Sequence, residues 1–373
     1  MNPVPEITPP KVIRTLRVRV KDRHAPLLRR MAYEVNQAWN LINEWTRDAS
    51  TEPIPGAGWV KTGIVLSAFD VNNRLNGYTK NNDVVINMFT LQEVSAVHAK
   101  ARRQFKRSKL RWRVSNGPRR NLGWIPIRQG GAQFKGGQVR YAGSIFKVWD
   151  SYDLGRYKFQ SASFSEDAMG RWYFNVSVEV KCQPSAGTGL VGIDLGLKDV
   201  AACSDGRKLP RAAFYRGIEQ QLGIAQRAGK KNRVRALHAA AKNRRRDALH
   251  KFSTALVVDY GAVAVGNVSS VALAKTAMAK SVLDAGWGTL KTMIEYKALA
   301  RRSLFVEVDE SYTTQTCSCC GSRRSSPKGR TGLGIRQWTC ECGVTHDRDV
   351  NAAKNIAALG HERLAGGIAA LTA

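Results

Sequence analysis

Apolar and polar positions alternate with a period of two from Arg14 to Lys21, RTLRVRVK, which predicts a strand with one buried face and one face of arginines. Between Ala25 and about Arg47 the period lengthens. Apolar side chains in LLRRMAYEVNQAWNLINEW return every three or four positions, as on a helix with one buried stripe. A second helix is expected from about Val84 and runs into HAKARRQFKRSK, whose last turns are almost purely cationic. At Leu110 the texture changes. From there to Val180 the runs LRWRV, WIPIRQ, QVRYAG, IFKVWD, YKFQSASF and RWYFNVSVEV are short, alternating and cut by Gly, Pro, Asn and Asp, which predicts a small β-barrel or sandwich. Gln183 to Gly189 reads as a linker. Beyond it an α/β order is expected: a strand at Leu190 to Leu195, a helical span from about Phe214 to Tyr260, a strand at Ala262 to Gly266, a helix from about Ser281 to Arg301 and a strand at Leu304 to Val308. No internal repeat interrupts this order.

Composition adds a partner. Within 373 residues, 59 Lys and Arg face 29 Asp and Glu, a formal net charge of +30, and a folded chain tolerates such self-repulsion best against a polyanion. A ribosomal or membrane-surface protein is the plainer source of such charge. Here the basic residues alternate with structured apolar segments instead of forming one tail, so nucleic acid is the expected partner. Arg14, Arg17 and Arg19 on the first strand and Arg102, Arg103, Lys106 and Arg107 at the end of the second helix form a first candidate surface. Lys230, Lys231, Arg244, Arg245 and Arg246 form another, with a solvated helix face as the alternative use. The aromatic residues among the arginines, as in Arg111-Trp112-Arg113, either stack on bases or fill the barrel core. No apolar run reaches roughly 18 residues and the first residues, MNPVPEITPPKV, lack a signal peptide's apolar segment, so a cytoplasmic, nucleoid-associated protein is expected and a membrane is not.

Two acidic motifs and one cysteine cluster carry the chemistry. Val191-Gly192-Ile193-Asp194-Leu195-Gly196 puts an acid at the end of an apolar strand, followed by Val200 to Cys203 and the turn Ser204-Asp205-Gly206. RNase H-type nucleases open this way, as do sugar kinases and actin-like ATPases. Near the other end, Asp347-Arg348-Asp349-Val350-Asn351 begins a helix whose first acids project past its N-terminus, where a carboxylate is favoured and can hold a cation or simply cap the helix. Of seven cysteines, Cys317, Cys319, Cys320, Cys340 and Cys342 cluster, while Cys182 and Cys203 stand alone. Two cysteine pairs about twenty residues apart, each followed by Gly, read as paired knuckles for a structural zinc. Cys317, Cys320, Cys340 and Cys342 are the expected ligands, with Cys319 as a substitute because the second pair is C-x-C.

Taken together, GIDLGLKDVAACSDG, RRRDALHKFS, LAKTAMAKSVLDAGWGTLKTMIEYK, YTTQTCSCCG and DRDVNAAKNIAALG, in that order from Val191 to Leu359, resemble the TnpB family of transposon-encoded RNA-guided DNA endonucleases, relatives of the compact type V CRISPR effectors. The resemblance implies a multidomain α+β chain. Residues 1–23 and 110–183 would form a wedge β-barrel, 24–109 an inserted helical recognition lobe, 184–315 and 343–373 an RNase H-like (RuvC) α/β nuclease domain, and 316–342 an inserted zinc ribbon. The N-terminal part of this match rests on layout and not on motifs.

The family uses three acids, which the resemblance places on Asp194, on a glutamate after the second core strand, and on Asp349. The middle one is missing, because Ala262 to Val265 runs into Gly266-Asn267-Val268. Glu310, at the end of the neighbouring strand where the family pattern has proline, is the candidate replacement; Glu307 and Asp309 are disfavoured by strand alternation. The resemblance then implies two Mg²⁺ ions on Asp194, Glu310 and Asp349, a guide RNA, and target DNA with a short adjacent recognition motif. Loss of one acid leaves a second reading, a nuclease-dead guided DNA-binding repressor. A third is a transposase that joins DNA strands with the same acids.

Overall fold

The computed structural model describes residues 11–47, 52–54, 58–60, 66–107, 110–268, 273, 275, 279–328 and 331–372. The chain divides into two compact units, one Ile13–Val180 and the other mainly Lys181–Ala373. No helix among the described residues is long and apolar enough to cross a membrane.

The first unit contains β1 (Lys11–Val20), α1 (Ala25–Arg47), α2 (Met88–Phe105), β2 (Trp124–Ile127), β3 (Ala132–Lys135), β4 (Gln138–Tyr141), β5 (Ser144–Trp149), β6 (Phe159–Glu166) and β7 (Trp172–Lys181). These strands form one sheet in the order β2, β6, β7, β1, β5, β4, β3. Because β3 also lies against β6, the sheet is nearly closed into a barrel. Alternation sets its inner face: Trp172, Phe174, Val176 and Val178 on β7 are all buried. Each such side chain contributes roughly 1.5–3 kcal/mol by leaving water. On α1, Leu28, Met31, Val35, Ala38 and Ile42 follow the helical period and are fully buried in the same cluster as the barrel's inner face. Helices and barrel therefore share a core.

Leu110 to Val114, expected as a strand, pairs with no strand among the described residues. Its backbone is satisfied by side chains of α1 instead. Asn43 Nδ2 donates to Leu110 O at 2.9 Å and its Oδ1 accepts from Leu110 N at 2.8 Å. Asn40 repeats this with Arg113, at 2.9 and 2.8 Å, and Trp39 Nε1 donates to Arg111 O. Asn40 and Asn43 replace a strand's peptide groups, and Asn36, one turn earlier, donates to the Ser115 hydroxyl at 3.1 Å.

In the second unit, β8 (Leu190–Asp194), β9 (Asp199–Cys203) and β10 (Lys208–Pro210) form an antiparallel meander, and β11 (Ala262–Gly266) and β12 (Leu304–Val308) add parallel strands on the other side. The sheet order is β10, β9, β8, β11, β12. The parallel pairs need helical crossovers. The helical span expected from about Phe214 to Tyr260 is made of α3 (Glu219–Arg227) and α4 (Lys231–Asp259), and the helix expected from about Ser281 to Arg301 is α5 (Ala279–Ala285) and α6 (Trp287–Arg301). Both breaks fall at glycines with positive φ, Gly229 (63°) and Gly286 (71°). Val191, Ile193, Val263, Val265, Leu256, Leu290 and Ile294 form the core between sheet and helices.

The final helix, α7 (Arg348–Thr372), lies across β8 and packs Ile356 against Ala264, Val306 and Val308. Gly192 permits this, since a Cβ there would overlap the backbone of Ala353 and Ala357. The stretch expected as a linker is docked: Ser185 N donates to Arg301 O at 2.7 Å, and its hydroxyl reaches Val258 O and Tyr260 O.

Candidate active site and cysteine cluster

Asp194 is the last residue of β8, half-buried at the carboxyl end of a parallel strand, where open α/β sheets place their sites. In register, Ile193 stands beside Val265, and the next residue of β11, Gly266, stands beside Val308. Two residues past the end of β12, Glu310 folds back over Gly266. A Cβ at Gly266 would overlap Glu310 Oε2 and come within 3.2 Å of Glu310 Cβ. The missing side chain and the new one thus compete for the same space.

Glu310 is held from the strand end that lacks an acid. Its N donates to Asn267 Oδ1 at 3.3 Å, and its carboxylate accepts from the backbone N–H of Val268. Oε2 is buried without a hydrogen-bond partner. Burial pushes the Glu310 carboxyl above its ordinary value, opposed first by Lys291 and then by the Val268 N–H. Glu307, one residue before the end of β12, is exposed and pairs with Lys291 at 2.6 Å, and Asp309 caps its own turn through Ser311.

Asp349 lies in the first turn of α7, where Arg336 Nη1 approaches its two oxygens at 3.3 and 3.5 Å. Asp347 caps this helix, accepting from Asp349 N and Val350 N at 3.1 Å each, and pairs with Lys208 at 2.7 Å. Asp194 registers the whole arrangement. Burial first, then the charges of Asp349 and Glu310, push its carboxyl up to about 7. Asp349 and Glu310 thus both act on Asp194 through their charge, and hard carboxylate oxygens are the donor type Mg²⁺ takes, although the three acids are not all gathered within 4.8 Å.

The four cysteines gather more tightly. The sulfurs of Cys317, Cys320, Cys340 and Cys342 all lie within 4.8 Å of one another, which no other group of three or more His, Cys, Asp or Glu among the described residues matches. Cys320 and Cys340 are 3.6 Å apart and Cys317 and Cys342 3.8 Å. Zn–S bonds of about 2.3 Å in a tetrahedron give sulfur separations of about 3.8 Å, so the quartet fits zinc. Cys319 is exposed and only its backbone N–H points at the cluster, 3.4 Å from the Cys317 sulfur. Burial pushes the Cys317 thiol up, but the N–H groups of Cys320 and Cys319 and the His346 ring, 3.0 Å away, bring it down to about 6.

The basic residues divide by employment. Arg14, Arg17, Arg103, Lys106, Arg107, Lys230, Lys231, Arg244 and Arg246 are exposed. Arg17 lies over the Tyr173 ring at 3.8 Å, and Arg19 pairs with Asp22 at 2.9 Å. Arg102 is half-buried and donates to Leu66 O, while Arg245 donates to Leu283 O at 2.8 Å. These last two have internal partners, so the open cations of the second helix and of α4 are their neighbours.

Comparison with known proteins follows this geometry. Residues 173–277 match a family model described as a probable transposase, OrfB_IS605, and residues 287–356 match the Cas12f1-like TNB domain. A Streptomyces pristinaespiralis protein named "Putative RNA-guided DNA endonuclease" is 35% identical over 215 residues, 54% of this chain and 52% of that protein. InsQ of Escherichia coli K12, named in the same way, is 30% identical over 231 residues, 53% of this chain and 56% of its own. The matched region is thus about half the length of these TnpB-type relatives. A solved Cas12f1-sgRNA-target DNA complex superposes with a TM-score of 0.59 at 13% identity, covering 93% of this chain and 99% of that one, a likeness of fold. Half of the stretch LAKTAMAK, residues 274 and 276–278, falls outside the described residues. The sequence reading passed over Asn267, Val268, Lys291 and Arg336, whose roles depend on which loop ends meet. The only trace of them in the sequence was Gly266, standing where the resemblance had implied an acid.

Proposed function

We propose that this chain is an RNA-guided DNA endonuclease with an RNase H-like (RuvC) site on Asp194, Glu310 and Asp349. The observation that carries the reading is that Glu310 occupies the space vacated at Gly266, beside Asp194, with one buried oxygen unpartnered. The sheet order β10, β9, β8, β11, β12 with α7 across it supports the RNase H-like assignment, and the names of the TnpB-type relatives support the activity.

Asp194, Glu310 and Asp349 would hold two Mg²⁺ ions, which supply Lewis acidity at the attacked phosphate and at the leaving 3′ oxygen. The residues do the rest. Val268 N–H and Asn267 fix Glu310, the cap on Asp347 fixes Asp349 at its helix start, and β8 fixes Asp194, so all three oxygens are set before substrate arrives. Cys317, Cys320, Cys340 and Cys342 would hold a structural zinc beside this site. Residues 1–23 with 110–183 would form the wedge barrel and 24–109 the recognition lobe, which meet guide RNA and the adjacent DNA motif. The exposed cations Lys230, Lys231, Arg244 and Arg246 would follow phosphates of the guide-target heteroduplex, leaving sequence choice to the RNA.

A guided DNA-binding protein that does not cut is the second reading. What favours it is that the acids, unlike the cysteines, are not all gathered within 4.8 Å. One experiment separates the two. The protein co-purified with its RNA is incubated with target plasmid with and without Mg²⁺, alongside Glu310→Gln. Linear product that requires Mg²⁺ and Glu310 supports the endonuclease, tight binding with intact plasmid supports the second reading, and joined strands without RNA would instead indicate a transposase.

A further inference from the structure

We propose that Lys291 is a positioning residue that sets the Glu310 carboxylate for metal, an inference that rests on the reading of Glu310 given above. Lys291 extends from α6 toward the carboxyl ends of β11 and β12, and its side chain is only 16% exposed. The ammonium donates to Glu307 Oε1 at 2.6 Å and to Val268 O at 3.3 Å. Those two contacts tie the end of β12 to the second residue past β11. Val268 is the same residue whose N–H donates to the Glu310 carboxylate, and its neighbour Asn267 accepts from Glu310 N while donating its own N–H to Val308 O at 2.9 Å. One peptide stretch is therefore gripped by Lys291 on its carbonyl side and grips Glu310 on its amide side.

Relocation creates the need for such a brace. An acid borne on a strand is aimed by the ladder itself, whereas Glu310 lies two residues beyond its strand and must reach back over Gly266. Ordering that side chain costs rotamer freedom unless its surroundings already hold it. A loop free to shift by an ångström would misplace the oxygen Mg²⁺ requires, and groups behind metal ligands set affinity for this reason. The nearby ammonium also opposes the effect of burial on Glu310.

The test uses the protein with its RNA and compares Lys291→Met, which keeps length without charge or donors, with Lys291→Arg. Mn²⁺ affinity is read by electron paramagnetic resonance, Mg²⁺ half-saturation by cleavage, and folding by melting temperature. Lys291→Met is expected to weaken Mn²⁺ binding and raise the Mg²⁺ half-saturation by about ten-fold or more, with target DNA binding unchanged. Lys291→Arg should recover much of both. Unchanged Mn²⁺ affinity in Lys291→Met overturns the proposal, as does a lowered melting temperature with metal affinity intact. Should the wild-type complex bind Mn²⁺ yet leave DNA whole, the endonuclease reading falls, and the effect of Lys291 on Mn²⁺ still decides this one.

Discussion

Gly266 and Glu310 occupy one space between them: the carboxylate of the second stands where a side chain on the first would begin. The two positions are therefore coupled, and a change at one must be answered at the other.

Gly266→Ala tests that coupling with one methyl group. Its Cβ would displace Glu310 Oε2 and crowd Ile356 Cδ1 at 3.3 Å, so DNA cleavage should drop by at least about ten-fold while RNA binding stays. Gly266→Glu combined with Glu310→Ala returns the acid to β11. It should cut better than either single variant, and a double variant no better than Glu310→Ala alone would deny the shared space.

Asp194 predicts a pH dependence. Its carboxyl lies at about 7 in the folded protein against an ordinary 3.8, so the folded state keeps a proton that the unfolded state releases between those values. The stability this proton contributes is present below about pH 4 and is lost as the pH rises through 7. Metal-free protein should thus melt at progressively lower temperature across that window, Mg²⁺ should restore it at the high end, and Asp194→Asn should flatten the profile. A flat wild-type profile contradicts the burial of Asp194 first, and then its nearness to the charges of Asp349 and Glu310.

The cysteine quartet predicts one zinc per chain by elemental analysis. Cys340→Ser should release it and lower the melting temperature, since a structural zinc site contributes folding energy directly. Cys319→Ser should keep the metal, because only the backbone of that residue faces the cluster.

Asn43→Ala should destabilise the first unit by about 3 kcal/mol, because it strips both the N–H and the C=O of Leu110 of their partners inside the core. Urea unfolding measures this. A loss under about 1 kcal/mol would mean that water or a backbone shift replaces the amide.

The regular elements were legible where periodicity alone decides them. Leu304 to Val308, Ala262 to Gly266 and the helix from Ala25 show their boundaries in the chain. Leu110 to Val114 did not, because its strand-like alternation is satisfied by helix side chains, a partner that no local pattern announces. The helix breaks at Gly229 and Gly286 were visible as glycines but needed their backbone angles to be understood. At the candidate site, Asp194, Glu310, Asp349 and the cysteines could be picked out from spacing and from resemblance. Lys291 and Asn267 could not, since their importance arises only when the ends of β11 and β12 meet.

The last helix supplies Asp349 and covers Gly192, although 155 residues of chain separate Asp349 from Asp194. During synthesis β8 emerges long before its cover, so the face around Gly192 waits bare until residues past Ala357 leave the ribosome. A site that joins Asp194 to Asp349 can therefore assemble only after α7 has emerged and docked, and β8 made without α7 is a strand with one bare face.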